Sequence, residues 1–364
     1  MVLAPLGSTG VRVSRVSLGV YGLTGMYGGV PRRVAVETIR AAVELGVTLD
    51  TAAVYGGGLG EDLVREALGG LSGGAVVVTK IGYEPGSRPP RQDFSRRFLL
   101  GEAERSCWRL GRCPDVVLLH NPPLEVLRGG EVWGALEDIV SRGLALAAGV
   151  ALGPETDVLP HALEALRHSQ TGAVQFVLNA LEVEPGATIA RLAKARGAGT
   201  MARVPMAGGV LDGTHKPGAP APGDHRRLRR GGWYEWAHRL YGRIRPLLSL
   251  LPGTPAQRAI RLALDLAPVD TVVTVARSPR ELEEHVEAAS LPPTPPSVIE
   301  EIVRAYMEEV PRSPEAPKAS LELLARLAPT LRAPRVKPSN TSGSPAGVSA
   351  GRGLRRHRPG GVQG

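Results

Sequence analysis

A (β/α)8 TIM barrel, in the α/β class, is the fold that this 364-residue sequence predicts, and three observations predict it. Short β-branched runs alternate with helical patterns for most of the length, the mark of repeated βα units and a parallel sheet. Eight such runs can be counted, the number that closes a barrel of this kind. Several are apolar without a break, as in Val76-Val77-Val78 and Val116-Val117-Leu118-Leu119, and read as strands covered on both faces.

In chain order, residues 1–13 (MVLAPLGSTGVRV) read as a short hairpin around Gly7 to Gly10 that closes the bottom of the barrel. The strand candidates follow as Val16 to Gly19, Val47 to Asp50, Ala75 to Lys80, Val116 to His120, Leu144 to Ala151, Ala173 to Asn179, Gly199 to Val204 and Thr271 to Ala276. Between them, Val36, Ile39 and Val43 make one helical face, and Gly46 follows as a C-terminal cap. Thr254-Pro255 places a capping residue before a first-turn proline, and Ser278-Pro279-Arg280-Glu281 has capping-box spacing. Residues 212–250, with the basic run His225 to Arg230 and Trp233, read as a long connection after the seventh strand; such loops are usually functional. The barrel is therefore assigned to residues 1–311. Residues 312–332 are a linker, marked by Pro314 and Pro317, with one short helix from Ser320 to Leu331, and residues 333–364 are a disordered basic tail rich in Pro, Gly, Ser and Arg.

The formal net charge of +9 suggests a polyanionic partner until its location is considered. Residues 332–364 hold seven cations and no Asp or Glu, which leaves +2 for the rest. The folded part gives no reason to expect specific nucleic-acid binding, although the tail suits non-specific contact with polyanions. No basic leader with an apolar core opens the chain, and no run approaches the roughly 20 apolar residues of a membrane span, so a cytoplasmic protein with no membrane partner is expected. Cys107 and Cys113 are not a metal-ligand set and read as two buried or half-buried thiols rather than a bond. Asn and Gln together number eight, a scarcity that suits a thermophile.

In barrels of this kind, polar residues at the carboxyl ends of different strands converge at one mouth. Asp50, Lys80 and His120 each end a strand candidate, and Tyr55 lies in the loop after Asp50. A phenol is a poor acid or base near neutral pH because its ordinary pKa is about 10. A lysine ammonium beside it favours the phenolate and eases proton exchange with a carbonyl or alcohol oxygen. Asp50 is placed to pair with that lysine, and a neutral His120 to orient the substrate oxygen.

With these four in place, the sequence resembles the aldo-keto reductase family over about residues 5–310. Leu6-Gly7-Ser8-Thr9-Gly10-Val11-Arg12-Val13-Ser14 looks like the family's opening hairpin, and Asp50-Thr51-Ala52 to Tyr55-Gly56 with Gly60-Glu61 like its second-strand motif. Val78-Thr79-Lys80, Leu118-Leu119-His120-Asn121-Pro122, Val174-Gln175 with Asn179, Ala202-Arg203-Val204-Pro205-Met206 to Leu211, and Ala276-Arg277-Ser278 continue the series in order.

The resemblance implies reversible reduction of a small aldehyde or ketone by direct hydride transfer, with NADPH as cofactor, NAD not excluded, and no metal. Tyr55 is then the general acid and base, tuned by Lys80 and Asp50, with His120 positioning the carbonyl. Gln175 matches the position on the nicotinamide carboxamide, and Arg203 the one packed against the nicotinamide. Val204, Pro205, Met206, Gly208 and Val210 belong beside the pyrophosphate, and Glu284 joins the cofactor set. Arg277 and Arg280, with the helix N-terminus there, are expected to hold a 2′-phosphate. Tyr21 and Asn121 are the substrate-pocket candidates, and Trp233 and Tyr234 either fold over the opening or pack within the insertion.

The sequence also departs from the family. Gly149-Val150 is followed by Ala151-Leu152 where Ser, often Ser-Asn, is common, Val20 stands where Thr often contacts the cofactor, and His285 replaces a frequent Asn. The Ala151-Leu152 change keeps a second reading open, a nicotinamide-nucleotide-binding regulatory subunit with little turnover. The oligomeric state is not legible.

Overall fold

Two three-residue strands, β1 (Leu3–Pro5) and β2 (Arg12–Ser14), pair antiparallel with Leu3 opposite Ser14. This is a computed structural model; it describes residues 2–69, 75–153, 157–215 and 224–331, with side chains to residue 326. The hairpin plugs the amino-terminal end of the barrel, as expected. Leu6, Val11 and Val13 pack with Val78, Val116, Leu118, Ala173 and Met201 in one apolar cluster. Gly7 makes the close approach possible: it has φ +52°, and a Cβ there would lie 2.3 Å from the Gly199 nitrogen. Its own amide donates to Asp270 Oδ2.

Eight parallel strands follow: β3 (Val16–Gly19), β4 (Leu49–Asp50), β5 (Val77–Ile81), β6 (Val116–His120), β7 (Ala147–Ala151), β8 (Ala173–Val177), β9 (Gly199–Arg203) and β10 (Thr271–Thr274). They close in sequence order, β10 pairing with both β9 and β3. Each lies inside or within one residue of a predicted strand. Val77, Val78 and Val116 to Leu119 are completely buried, as strands covered on both faces must be, while Val76, just before β5, is only partly buried.

The helices surround the strands. After β3 comes α1 (Arg32–Glu44), after β4 α2 (Leu59–Leu68), after β5 α3 (Arg96–Leu110), and after β6 both α4 (Leu124–Arg128) and α5 (Glu131–Ser141). Then α6 (Leu159–Ala165) follows β7, α7 (Gly186–Ala195) follows β8, α8 (Trp233–Ser249) and α9 (Pro255–Asp265) follow β9, and α10 (Pro279–Glu287) follows β10. The chain continues through α11 (Pro296–Glu309) and α12 (Lys318–Leu331). Val36, Ile39 and Val43 are the buried face of α1, and Gly46, φ +69°, ends it. Thr254 and Gln257 form a reciprocal capping box on α9.

The structure differs from the sequence reading in three places. The connection after the seventh strand contains a 17-residue helix, α8, whose buried Trp233, Trp236, Leu240, Ile244 and Leu248 recur at helical spacing. Trp233 is 1% exposed, so it packs inward, and only Tyr234 of that pair faces the mouth. Cys107 and Cys113 form a disulfide: Gly111, φ +73°, caps α3 and turns the chain back, bringing the two Cα atoms to 4.1 Å. Residues 312–320 lie against the barrel. Glu315 pairs with Arg229, and Ser320 donates its amide to Asp157 and accepts from the Leu159 amide. The stretch expected to be disordered, residues 333–364, lies outside the described residues.

Gly149 on β7 is a second required glycine. A Cβ there would sit 2.0 Å from the Ala173 carbonyl oxygen on β8, a backbone atom with no rotamer to give. Gly149→Ala is expected to cost about 1–3 kcal/mol or more through overpacking, read as a lower urea midpoint with an unchanged slope.

Candidate active site

The strand ends deliver the predicted residues to one mouth. Asp50 and His120 are the last residues of β4 and β6, and Lys80 is next to last in β5. Tyr55 sits in the turn after β4, where Gly56 and Gly57, both left-handed, bend the chain back over the barrel. Lys80 Nζ donates to Asp50 Oδ1 at 2.6 Å and to the Thr51 carbonyl at 2.9 Å. The pair is buried, with side chains 1% and 5% exposed.

Across the barrel, Gln175 donates from Nε2 to the other Asp50 oxygen at 2.7 Å. The residue expected on the nicotinamide carboxamide therefore has its amide nitrogen engaged by the carboxylate. With both oxygens occupied, Asp50 is fixed by Lys80 on the neighbouring strand β5 and by Gln175 on β8 across the barrel.

Tyr55 lies above this pair, its ring centroid 5.1 Å from Lys80 Nζ. Its hydroxyl makes no hydrogen bond among the described residues. Burial pushes the phenol well above its ordinary range and Asp50 adds to the shift, while Arg203 opposes it. The expected lowering by Lys80 is not what dominates, because the ammonium is committed to Asp50 and Thr51. Lys80 itself is shifted down by burial against the pull of Asp50.

His120 faces Tyr55 edge-on at 5.8 Å between centroids, and Tyr83 at 5.1 Å. Its Nδ1 is buried without a partner. Burial, then Lys80 and Arg203, hold its pKa well below the usual imidazole value, so the ring is neutral. Tyr21 packs edge-on to Tyr55 at 4.8 Å, and Asn121, φ +53°, follows His120 in the wall.

These residues line a cavity of 1730 Å³ that continues past Arg203 to the start of α10. Val204, Pro205, Met206 and Gly208 line it, along a stretch in which Val204, Ala207, Gly208 and Gly209 are all left-handed. Arg203 lines it too and donates to the Leu152 carbonyl at 3.0 Å, bracing the segment that follows β7. Arg277 and Glu284 line the far end. Arg280 and Val210 do not: Arg280 is exposed and absent from the lining, and Val210 is 1% exposed in the core.

Sequence reasoning missed part of the wall. Tyr27 and His225 pack edge-on against Tyr21 at 5.5 and 5.2 Å, and Arg226, paired with Asp224, lies over Tyr27. The first loop thus meets the insertion after β9, also joined through the His225 amide to the Met26 carbonyl. Among the described residues no group of three His, Cys, Asp or Glu is placed to hold a metal, and no helix is long and apolar enough to cross a membrane.

Fold and cluster together define a (β/α)8 protein whose mouth holds a buried ionic pair beneath a tyrosine and a histidine. The chain belongs to the aldo/keto reductase family, whose model matches residues 15–306. It is 31% identical to the aldo-keto reductase YhdN of Bacillus subtilis over 157 residues, 42% of this chain and 47% of that one, so the match spans about half of that relative. It is 25% identical to a probable voltage-gated potassium channel subunit beta of Arabidopsis thaliana, over 85% of this chain and 98% of that one. Among solved structures, the holo form of aldo-keto reductase AKR11C1 from Bacillus halodurans shares the fold, with a TM-score of 0.69 at 22% identity, covering 84% and 96% of the two chains.

Three buried or half-buried imidazoles set an acid limit on stability. His120, His225 and His285 are each held below the ordinary value, burial being the largest cause. The unfolded chain takes up these protons first, so their contribution is fully present above about pH 6.5 and is lost as pH falls through the lower folded values. Denaturant midpoints measured from pH 8 to pH 5 should be level at first and fall below about pH 6.5.

Proposed function

We propose that this protein is a nicotinamide-dependent oxidoreductase that interconverts small aldehydes or ketones with their alcohols. The observation that carries the proposal is the Lys80 to Asp50 pair, fixed by Gln175, beneath a tyrosine whose hydroxyl is free to meet a substrate oxygen. The residues present suit a dinucleotide. The 1730 Å³ cavity exceeds the roughly 300–1,000 Å³ of ordinary small-molecule pockets. It runs from His120, with its unpartnered buried nitrogen, along the left-handed stretch after β9 to α10. Gln175 and Arg203, which line the cavity beside Asp50 and His120, would take the nicotinamide end.

The nicotinamide, when bound, supplies or accepts a hydride. The remaining work belongs to the side chains. Tyr55, held protonated by burial, gives its proton to the carbonyl oxygen as charge develops there. Neutral His120 orients that oxygen, and Lys80 stabilises the phenolate left behind, held in place by Asp50. Tyr21, Tyr27 and Tyr83 make the apolar wall that keeps water from the reacting atoms. No membrane partner enters this reading, and a cytoplasmic setting, where reduced nicotinamide is plentiful, suits it.

A nucleotide-binding regulatory subunit remains the second reading, favoured by Ala151-Leu152 and by the similarity to a potassium channel subunit. Titration of purified protein with reduced nicotinamide, followed by a panel of aromatic and short aliphatic aldehydes, separates the two. Binding with turnover supports the reductase. Binding without turnover across the panel favours the regulatory subunit, and no binding of either nucleotide overturns both.

A further inference from the structure

We infer that this chain selects NADH over NADPH, through Glu281 and Glu284 at the far end of the cavity; the inference rests on the dinucleotide reading above. Three features were expected to hold a 2′-phosphate: Arg277, Arg280 and the N-terminus of α10. Each is otherwise engaged or turned away. The Arg277 side chain donates to the carbonyls of Gly28 and Gly29, tying the first loop across the cavity. Arg280 is exposed and outside the lining. At the helix start, the Ser278 side chain accepts the Glu281 amide, and Glu281 supplies a negative charge in the first turn. A helix terminus already capped and already matched by a carboxylate has little attraction left for an anion.

What the cavity does present there is carboxylate. Glu281 accepts the Arg277 amide on Oε2 at 2.7 Å, and Glu284 accepts the Thr254 hydroxyl on Oε1 at 2.5 Å. Both residues line the cavity, and neither makes an ion pair among the described residues. The second oxygen of each has no protein partner there. A ribose hydroxyl donates to a carboxylate, which is how an acidic residue recognises NAD, whereas a 2′-phosphate brings negative charge against it. Discrimination then comes from a repulsive element as well as an attractive one. That this end belongs to a ligand site is supported from the other end of the same cavity, where buried His120 keeps an unpartnered nitrogen.

The test is fluorescence titration of the full chain with NADH and with NADPH, with kcat/KM measured for each. NADH should bind more tightly by about tenfold, the size of one opposed surface charge at about 4 Å after screening. Glu281→Gln should shrink that ratio mainly by improving NADPH binding, and Glu281→Gln with Glu284→Gln should shrink it further. Arg277→Ala should weaken both nucleotides alike, because its contact is with the loop. Equal or tighter binding of NADPH, or a ratio unmoved by Glu281→Gln, overturns the inference and leaves the reductase reading standing. Binding of neither nucleotide overturns both.

Discussion

Tyr55→Phe should lower carbonyl reduction by about 10²- to 10⁴-fold, the usual worth of a positioned general acid, and leave nucleotide affinity unchanged. Both halves follow from the setting of the ring. The hydroxyl makes no hydrogen bond among the described residues, so its removal strands no partner, and the edge contacts with Tyr21 and His120 belong to the ring. The loss is therefore chemical. The direction of the phenol shift adds a pH signature. Burial keeps Tyr55 protonated across the neutral range, so reduction should vary little there, whereas alcohol oxidation needs the phenolate and should climb toward and past about pH 10, the ordinary phenol value. Stopped-flow or steady-state rates in both directions check this. A variant that keeps wild-type reduction would remove Tyr55 from the proton path.

The barrel was legible because its strands are covered on both faces, and such burial writes itself into sequence as runs like Val116 to Leu119. The convergence of Asp50, Lys80 and His120 was legible for a related reason: a closed parallel barrel brings all its strand ends to one rim. Contacts made across the rim were not. The Gln175 to Asp50 bond joins residues 125 positions apart on opposite sides, and the meeting of Tyr21, Tyr27 and His225 depends on the path of two loops. The disulfide depends on one left-handed glycine, Gly111, which a six-residue spacing does not reveal. The arginines near α10 show the opposite failure. Their type suggested a phosphate site, but side-chain direction decides what they contact, and Arg277 reaches the Gly28 and Gly29 carbonyls.

Asp50→Asn is the substitution expected to cost most in stability, about 3–5 kcal/mol at neutral pH, because it leaves one member of a buried pair uncompensated. Lys80 would keep the Thr51 carbonyl and, at best, a neutral amide oxygen in place of the carboxylate. Burial already lowers its pKa, and Asp50 is the largest influence opposing that shift. Removing the carboxylate must lower it further. Between the depressed folded pKa and the ordinary lysine value of about 10.4, the unfolded chain binds more protons, so stability rises with pH. The deficit of the variant should accordingly shrink between pH 7 and pH 9.5 and be largest toward acid. Lys80→Met should cost less, since Asp50 retains the Gln175 amide. The double variant should cost less than the sum of the two, because neither buried charge then remains. Guanidinium melts of the four proteins at the two pH values supply the comparison. A pH-independent deficit with additive losses would falsify the claim that Asp50 keeps Lys80 charged, and with it the idea that an ammonium stands ready beneath Tyr55 to stabilise its phenolate.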